Sequence, residues 1–128
     1  MRLNYSLPLV FLGGIAVGAG AIQVLHAQAK PPVYVVSEIE VTNVDAYTKE
    51  YVPLARAAIT KSGGKLIGAS QNVTTLEGAA QKSRVTINAY ESLEKAKASR
   101  EAADYKDARK VGDKYAKFRA YVVEGLPQ

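Results

Sequence analysis

The stretch Leu7 to Leu25, LPLVFLGGIAVGAGAIQVL, decides how much of this 128-residue chain is available to build a domain. It is apolar but for Gln23 and, at 19 residues, just long enough to cross a bilayer. Gly13, Gly14, Gly18 and Gly20 argue against a buried core helix, because glycine in a helix interior costs about 1 kcal/mol relative to alanine. Arg2 gives a weakly positive start, and His26-Ala27-Gln28-Ala29 places small residues at the two positions a signal peptidase reads. Residues 1–29 are therefore expected to be a signal peptide cleaved between Ala29 and Lys30, with a retained membrane anchor as the alternative. Either outcome puts the folded part outside the cytoplasm: periplasmic or secreted if cleaved, anchored and facing the periplasm if kept. What remains, residues 30–128, is enough for one small domain with a modest core.

The composition of that remainder excludes several chemistries. The chain has no cysteine, which removes disulfides, thiolate nucleophiles and cysteine-based metal sites. Its one histidine, His26, lies before the expected cleavage point. None of Ser62, Ser70, Ser83, Ser92 and Ser99 then has a histidine to activate it, so a Ser-His-Asp triad is excluded after cleavage. Histidine-ligated haem and zinc go the same way. Gly63-Gly64 with Gly68 is not a phosphate loop, because no Gly-Lys-Ser/Thr follows. No metal site and no cofactor is expected. From Lys30 onward there are 16 basic and 12 acidic residues, too diffuse an excess to argue for nucleic acid.

Along the domain, Val33 to Val41 (VYVVSEIEV) is rich in β-branched residues and predicts strand one. Thr42-Asn43 offers a helix cap, and Asp45 suits the positive end of a helix. Tyr47, Tyr51, Leu54, Ala58 and Ile59 follow helical spacing, predicting a helix over Val44 to Lys61 that Pro53 kinks or divides. Ser62-Gly63-Gly64 ends it. Lys65 to Ser70 predicts strand two. Gln71 to Ser83 is a loop, with a strand fragment considered at Val73 to Leu76, and Arg84 to Tyr90 predicts strand three. Ser92 caps a second helical region, broken near Ala102 to Asp104, and Phe118 to Glu124 predicts strand four. The order β-α-β-β-α-β, with right-handed and unthreaded connections, leads to an α+β ferredoxin-like fold. Its four-stranded antiparallel sheet has strand order 4-1-3-2, and both helical regions cover one face.

The second sheet face carries the candidate site. If the more apolar faces meet the helices, the other side collects Tyr34, Val36 and Glu38; Thr86, Asn88 and Tyr90; and Arg119, Tyr121 and Val123. This mixture is more apolar than a face meeting water needs to be, which predicts a homodimer packed sheet to sheet around a partly polar cavity. Tyr34, Glu38, Asn88, Tyr90, Arg119 and Tyr121 are the ligand-pocket candidates. Glu38 is the candidate acid–base group if burial raises its pKa; the competing arrangement is a cross-strand ion pair with Arg119. Glu94 to Arg119 holds nine basic and five acidic residues, spaced for i,i+4 pairs of Lys97 with Glu101, Arg100 with Asp104, Arg109 with Asp113 and Asp113 with Lys117.

Several segments in order, VYVVSEIEVTNVDAY, Tyr51-Val52-Pro53, Gly63-Gly64-Lys65, Leu76-Glu77-Gly78, Arg84-Val85, Asp104-Tyr105 and Val123-Glu124-Gly125, resemble domain-of-unknown-function family 1330. The resemblance runs from about Val33 to Gly125 and implies a ferredoxin-like domain of the dimeric α/β-barrel type. The sequence departs from the family pattern at Ala69-Ser70, Ala79-Ala80, Tyr90-Glu91-Ser92 and Ala102-Ala103-Asp104-Tyr105, all near loops able to border a pocket. Two functions fit these features. One is a small-molecule-binding dimer, with or without a reaction; the other is a non-catalytic envelope module for protein interaction or assembly.

Overall fold

A computed structural model of the chain describes residues 30–81 and 84–127. The expected signal segment and its last residue, Ala29, lie outside the described residues, and Lys30 begins them as an exposed residue. Among the described residues, no helix is long and apolar enough to cross a membrane. The strands are β1 (Val33–Val41), β2 (Lys65–Ser70), β3 (Arg84–Tyr90) and β4 (Ala116–Glu124). All pairings are antiparallel, and the sheet order is β2-β3-β1-β4, the predicted arrangement read from the opposite edge. No strand forms at Val73 to Leu76; Leu76 is 91% exposed, so it has no sheet or core to join.

The first helical region runs without a gap from Val44 to Lys61, but not as one α-helix. It comprises α1 (Val44–Ala46), a π-helical turn (Tyr47–Tyr51) and α2 (Val52–Lys61). Asn43 caps its start, its side chain accepting from the Ala46 N–H at 3.1 Å. Pro53 accounts for the π turn: it has no N–H to give and its ring crowds the carbonyl four residues back. The chain adds a residue to the turn just before it, so that the Val52 N–H reaches Tyr47. The expected interruption at Pro53 is thus a change of winding and not a division. The helix closes where glycine permits a left-handed residue: Gly63 has φ +88°, and the Gly64 and Gly63 N–H groups donate to the Ile59 and Thr60 carbonyls at 2.9 and 3.1 Å.

The second helical region is α3 (Leu93–Glu101) and α4 (Ala103–Gly112), separated by a single extended residue, Ala102 (φ −62°, ψ 140°). Ser92 caps α3 through the Lys95 N–H. The break has an electrostatic consequence. Asp104 leaves the helical register of Arg100 and pairs with Lys61 of α2 at 2.8 Å, while Glu101 pairs with Lys106 at 3.0 Å. The expected Arg100–Asp104 and Lys97–Glu101 pairs do not form; Arg109–Asp113 does, at 3.0 Å.

The core between helices and sheet is built from tyrosines set against very small residues. Tyr47, Tyr51, Tyr90 and Tyr105 are buried, with Ala55, Ala58, Ala96, Ala108 and Ala116 filling around them. Tyr51 lies edge-on to Phe118, with ring centroids 5.2 Å apart. Its ring also occupies the space over Gly112, where an added Cβ would come within 2.7 Å of it. Gly112→Ala is therefore expected to destabilise the fold by about 1–3 kcal/mol through overpacking. Urea unfolding checks this, and an unchanged midpoint would show that Tyr51 has room to move.

Candidate functional site

Strand register decides which side chains share a site. Across β1 and β3, Val35 faces Asn88, Ser37 faces Thr86 and Val33 faces Tyr90, whereas Val36 faces Ile87 and Glu38 faces Val85. Across β1 and β4, Glu38 faces Arg119 and Val36 faces Tyr121. The open side of the sheet thus carries Tyr34, Val36, Glu38, Val85, Ile87, Ala89, Arg119, Tyr121 and Val123. Thr86, Asn88 and Tyr90 lie on the helix-covered side, a correction to the sequence reading. The alternation was read rightly, but counting apolar residues chose the wrong side of β3. Tyrosine fills the covered side, while Val85, Ile87 and Ala89 turn outward.

The predicted pocket residues therefore divide into two groups. Tyr34, Glu38, Arg119 and Tyr121 stay together on the open face. There Glu38 takes the ion-pair arrangement: Arg119 Nη1 donates to one carboxylate oxygen and Gln81 Nε2 to the other, at 2.6 Å. These two donors hold the Glu38 carboxyl below its ordinary pKa, with Arg119 contributing most. This is the opposite of the shift an acid at neutral pH needs. Gln81, at the end of the β2–β3 loop, was not legible as its partner, because that loop has no periodicity to place it.

Asn88 and Tyr90 belong to the interior. Tyr90 shares a hydrogen bond with Ser99 at 2.9 Å, and Ser99 with Ser62 at 2.7 Å, joining β3, α3 and the end of α2 through hydroxyls. Ser99 is fully buried, so each hydroxyl depends on the next. Asn88 differs. It is only 3% exposed, and its carboxamide lies outside the Ser62–Ser99–Tyr90 chain of hydroxyls. It lines a cavity of about 80 Å³ between α2, the π turn and the β2–β3 half of the sheet. The walls include Ile39, Val52, Ala55, Ile59 and Leu66, with polar groups from Tyr47, Tyr51, Arg56, Thr60, Arg84 and Thr86. That volume holds a few waters or a small organic group. Among the described residues, no cluster of three or more metal-ligating side chains occurs.

Burial, with a smaller opposing effect of Arg84, raises the Tyr47 phenol above its ordinary range; burial foremost pushes Tyr51 up to about 12. At neutral pH both hydroxyls are protonated. They can donate a hydrogen bond but do not serve as bases. Tyr47 and Tyr51 entered the sequence reading only as positions of the helical spacing. That they also border a cavity follows only from how α2 sits over β3.

A family model, Domain of unknown function (DUF1330), matches residues 32–126. The chain belongs to this family. No curated protein matches it. Among solved structures, it resembles a protein of unknown function from Rhodopseudomonas palustris, at 18% identity and TM-score 0.55, covering 91% of this chain and 99% of that one. It also resembles SnoaB, a cofactor-independent oxygenase from Streptomyces nogalater, at 10% identity and TM-score 0.56, with 77% and 96% covered. A third is a protein of unknown function from Bacteroides fragilis, described as dimeric and ferredoxin-like, at 13% identity and TM-score 0.54, with 73% and 95% covered. At these identities the likeness establishes the fold alone.

Because Tyr51 ionises near pH 12 in the folded chain and near 10.0 when unfolded, its contribution is complete below pH 10 and is lost as pH rises toward 12. The urea midpoint is expected to fall over that interval, and to fall less steeply in Tyr51→Phe. Equal slopes in the two proteins would place the phenol in contact with water.

Proposed function

We propose that this DUF1330 protein is an exported homodimer that binds a small molecule inside each protomer, at Asn88, and not in the space between two sheets. The observation that carries the reading is the Asn88 carboxamide. It is buried in the sheet and lies in the wall of a cavity that combines apolar side chains with a few polar groups, which is how small-molecule sites are commonly built. The amide both donates and accepts, so it suits a neutral polar group such as a carbonyl or hydroxyl on a compact, otherwise apolar ligand.

Pairing through the open face is supported by its chemistry. Val36, Val85, Ile87, Ala89, Tyr121 and Val123 form a continuous apolar area on the side of the sheet that no helix covers, with Tyr121 and Val123 41% and 47% exposed. The Glu38–Arg119 pair sits within it as a neutralised group that another sheet face can cover at lower cost than a lone charge. The dimeric Bacteroides fragilis protein has the same fold. Export is supported by the apolar stretch and the Ala27-Gln28-Ala29 site.

Intact and native mass spectrometry of protein purified from a bacterial envelope tests all three parts. The expected species is a dimer whose chains begin at Lys30 and which carries added mass. Ile87→Lys, on the open face, should shift it to monomer; a persistent dimer would move the interface elsewhere.

For the ligand, Asn88→Leu is nearly isosteric and should keep stability within about 1 kcal/mol of the original while losing the added mass. Added mass that survives this change would remove the ligand from the Asn88 cavity. A wild-type dimer that never carries any would leave the assembly reading in its place.

A further inference from the structure

Arg100 is a partly buried charge held by neutral partners alone. Its Nη1 donates to the Tyr105 hydroxyl, its Nη2 donates to Ser37 at 3.3 Å, and its guanidinium lies 4.6 Å from the centre of the Tyr105 ring. Its Nε is buried with no acceptor. Among the described residues no carboxylate pairs with it, because the extended residue at Ala102 carries Asp104 away to Lys61. Burial accordingly pulls its pKa below the ordinary arginine value. A partly buried cation without a counter-charge is unfavourable unless something else supplies the negative charge.

Arg100 lines an open cleft of about 620 Å³ between α3–α4 and the β1–β4 half of the sheet. This volume is in the range of small-molecule sites. The cleft lies on the opposite half of the sheet from the Asn88 cavity, so it stands independently of that site. Its floor is apolar, formed by Val35, Ala120 and Val122. The two acids on its walls are already engaged, Glu101 with Lys106 and Asp113 with Arg109, each at 3.0 Å. Lys97 borders the cleft and, like Arg100, has no acidic partner among the described residues.

We infer that this cleft binds an organic monocarboxylate with an apolar body, its carboxylate between Arg100 and Lys97 and its body over Val35, Ala120 and Val122. One partly buried guanidinium with donors to spare matches a single carboxylate. The apolar strand edge beside it distinguishes such a ligand from a fully hydrated inorganic anion, which gains nothing from that floor.

The test is a titration of the full-length chain with octanoate, octanamide and inorganic phosphate, followed by backbone amide NMR. Octanoate is expected to bind saturably, at least tenfold more tightly than octanamide or phosphate, with shifts at Ala96 and at Ala120 to Val122. Arg100→Gln should weaken octanoate at least tenfold. Ala120→Phe, an exposed substitution on the edge strand that leaves Arg100 intact, should block it without loss of fold. Asn88→Leu should leave it unchanged, so failure here and failure of the Asn88 site are separable. Octanamide or phosphate binding as tightly as octanoate would overturn the inference, as would full affinity in Ala120→Phe or no saturable octanoate binding at all.

Discussion

The seating of Tyr51 against Gly112 and Phe118 is the contact on which the rest of the packing depends. It joins the π turn of the first helical region to the end of α4 and to the start of β4, so an early segment of the domain meets its last two elements. The contact is possible because each neighbour gives way: Gly112 has no side chain, and Ala55 and Ala108 are small enough to let the helices close around the ring. Tyr47 stacks on the same side with ring centroids 5.1 Å apart. A core of this kind gains its apolar area from a few large rings and not from many aliphatic side chains. It tolerates little change in the small residues that receive them.

Tyrosine cores carry an obligation that leucine cores do not. Each buried hydroxyl needs a partner, so polar groups must be brought inside with the rings. Ser99, itself bonded to Ser62, meets that need for Tyr90, and Arg100 meets it for Tyr105 while also donating to Ser37. The polar interior is therefore a consequence of the aromatic one. Asn88 on β3 and Arg100 on α3 border two of the hollows left where rings and small residues do not fill the space.

The open face follows a different logic. Apart from Glu38, Arg119 and their neighbour Gln81, it is largely apolar, and its one ion pair is internally neutral. Had β3 turned its valine, isoleucine and alanine toward the helices, the tyrosine that fills the core at its end would have been stranded on the surface. The register that buries Tyr90 obliges Val85, Ile87 and Ala89 to face outward, since neighbouring residues on a strand point to opposite sides.

The order of elements, the cap at Asn43, the glycine stop after Ser62, the break near Ala102 and the neighbour relations in the sheet were all readable from the chain. Each rests on local chemistry: alternation, helical spacing, a side-chain acceptor ahead of a helix, a residue that tolerates positive φ. The Glu38–Arg119 pair was readable too, because strand order and alternation bring those two together. Which side of β3 is covered was not readable, since alternation gives two faces without saying which is inward, and tyrosine and asparagine look like surface residues until a core is built around them. Nor was Arg100 legible as an uncompensated charge: helical spacing assigned it Asp104, and one extended residue cancelled that pairing. Pattern along the chain determined the elements and their order. Only packing in three dimensions decided which polar groups were left without partners, because whether a group is satisfied depends on what lies across from it in space.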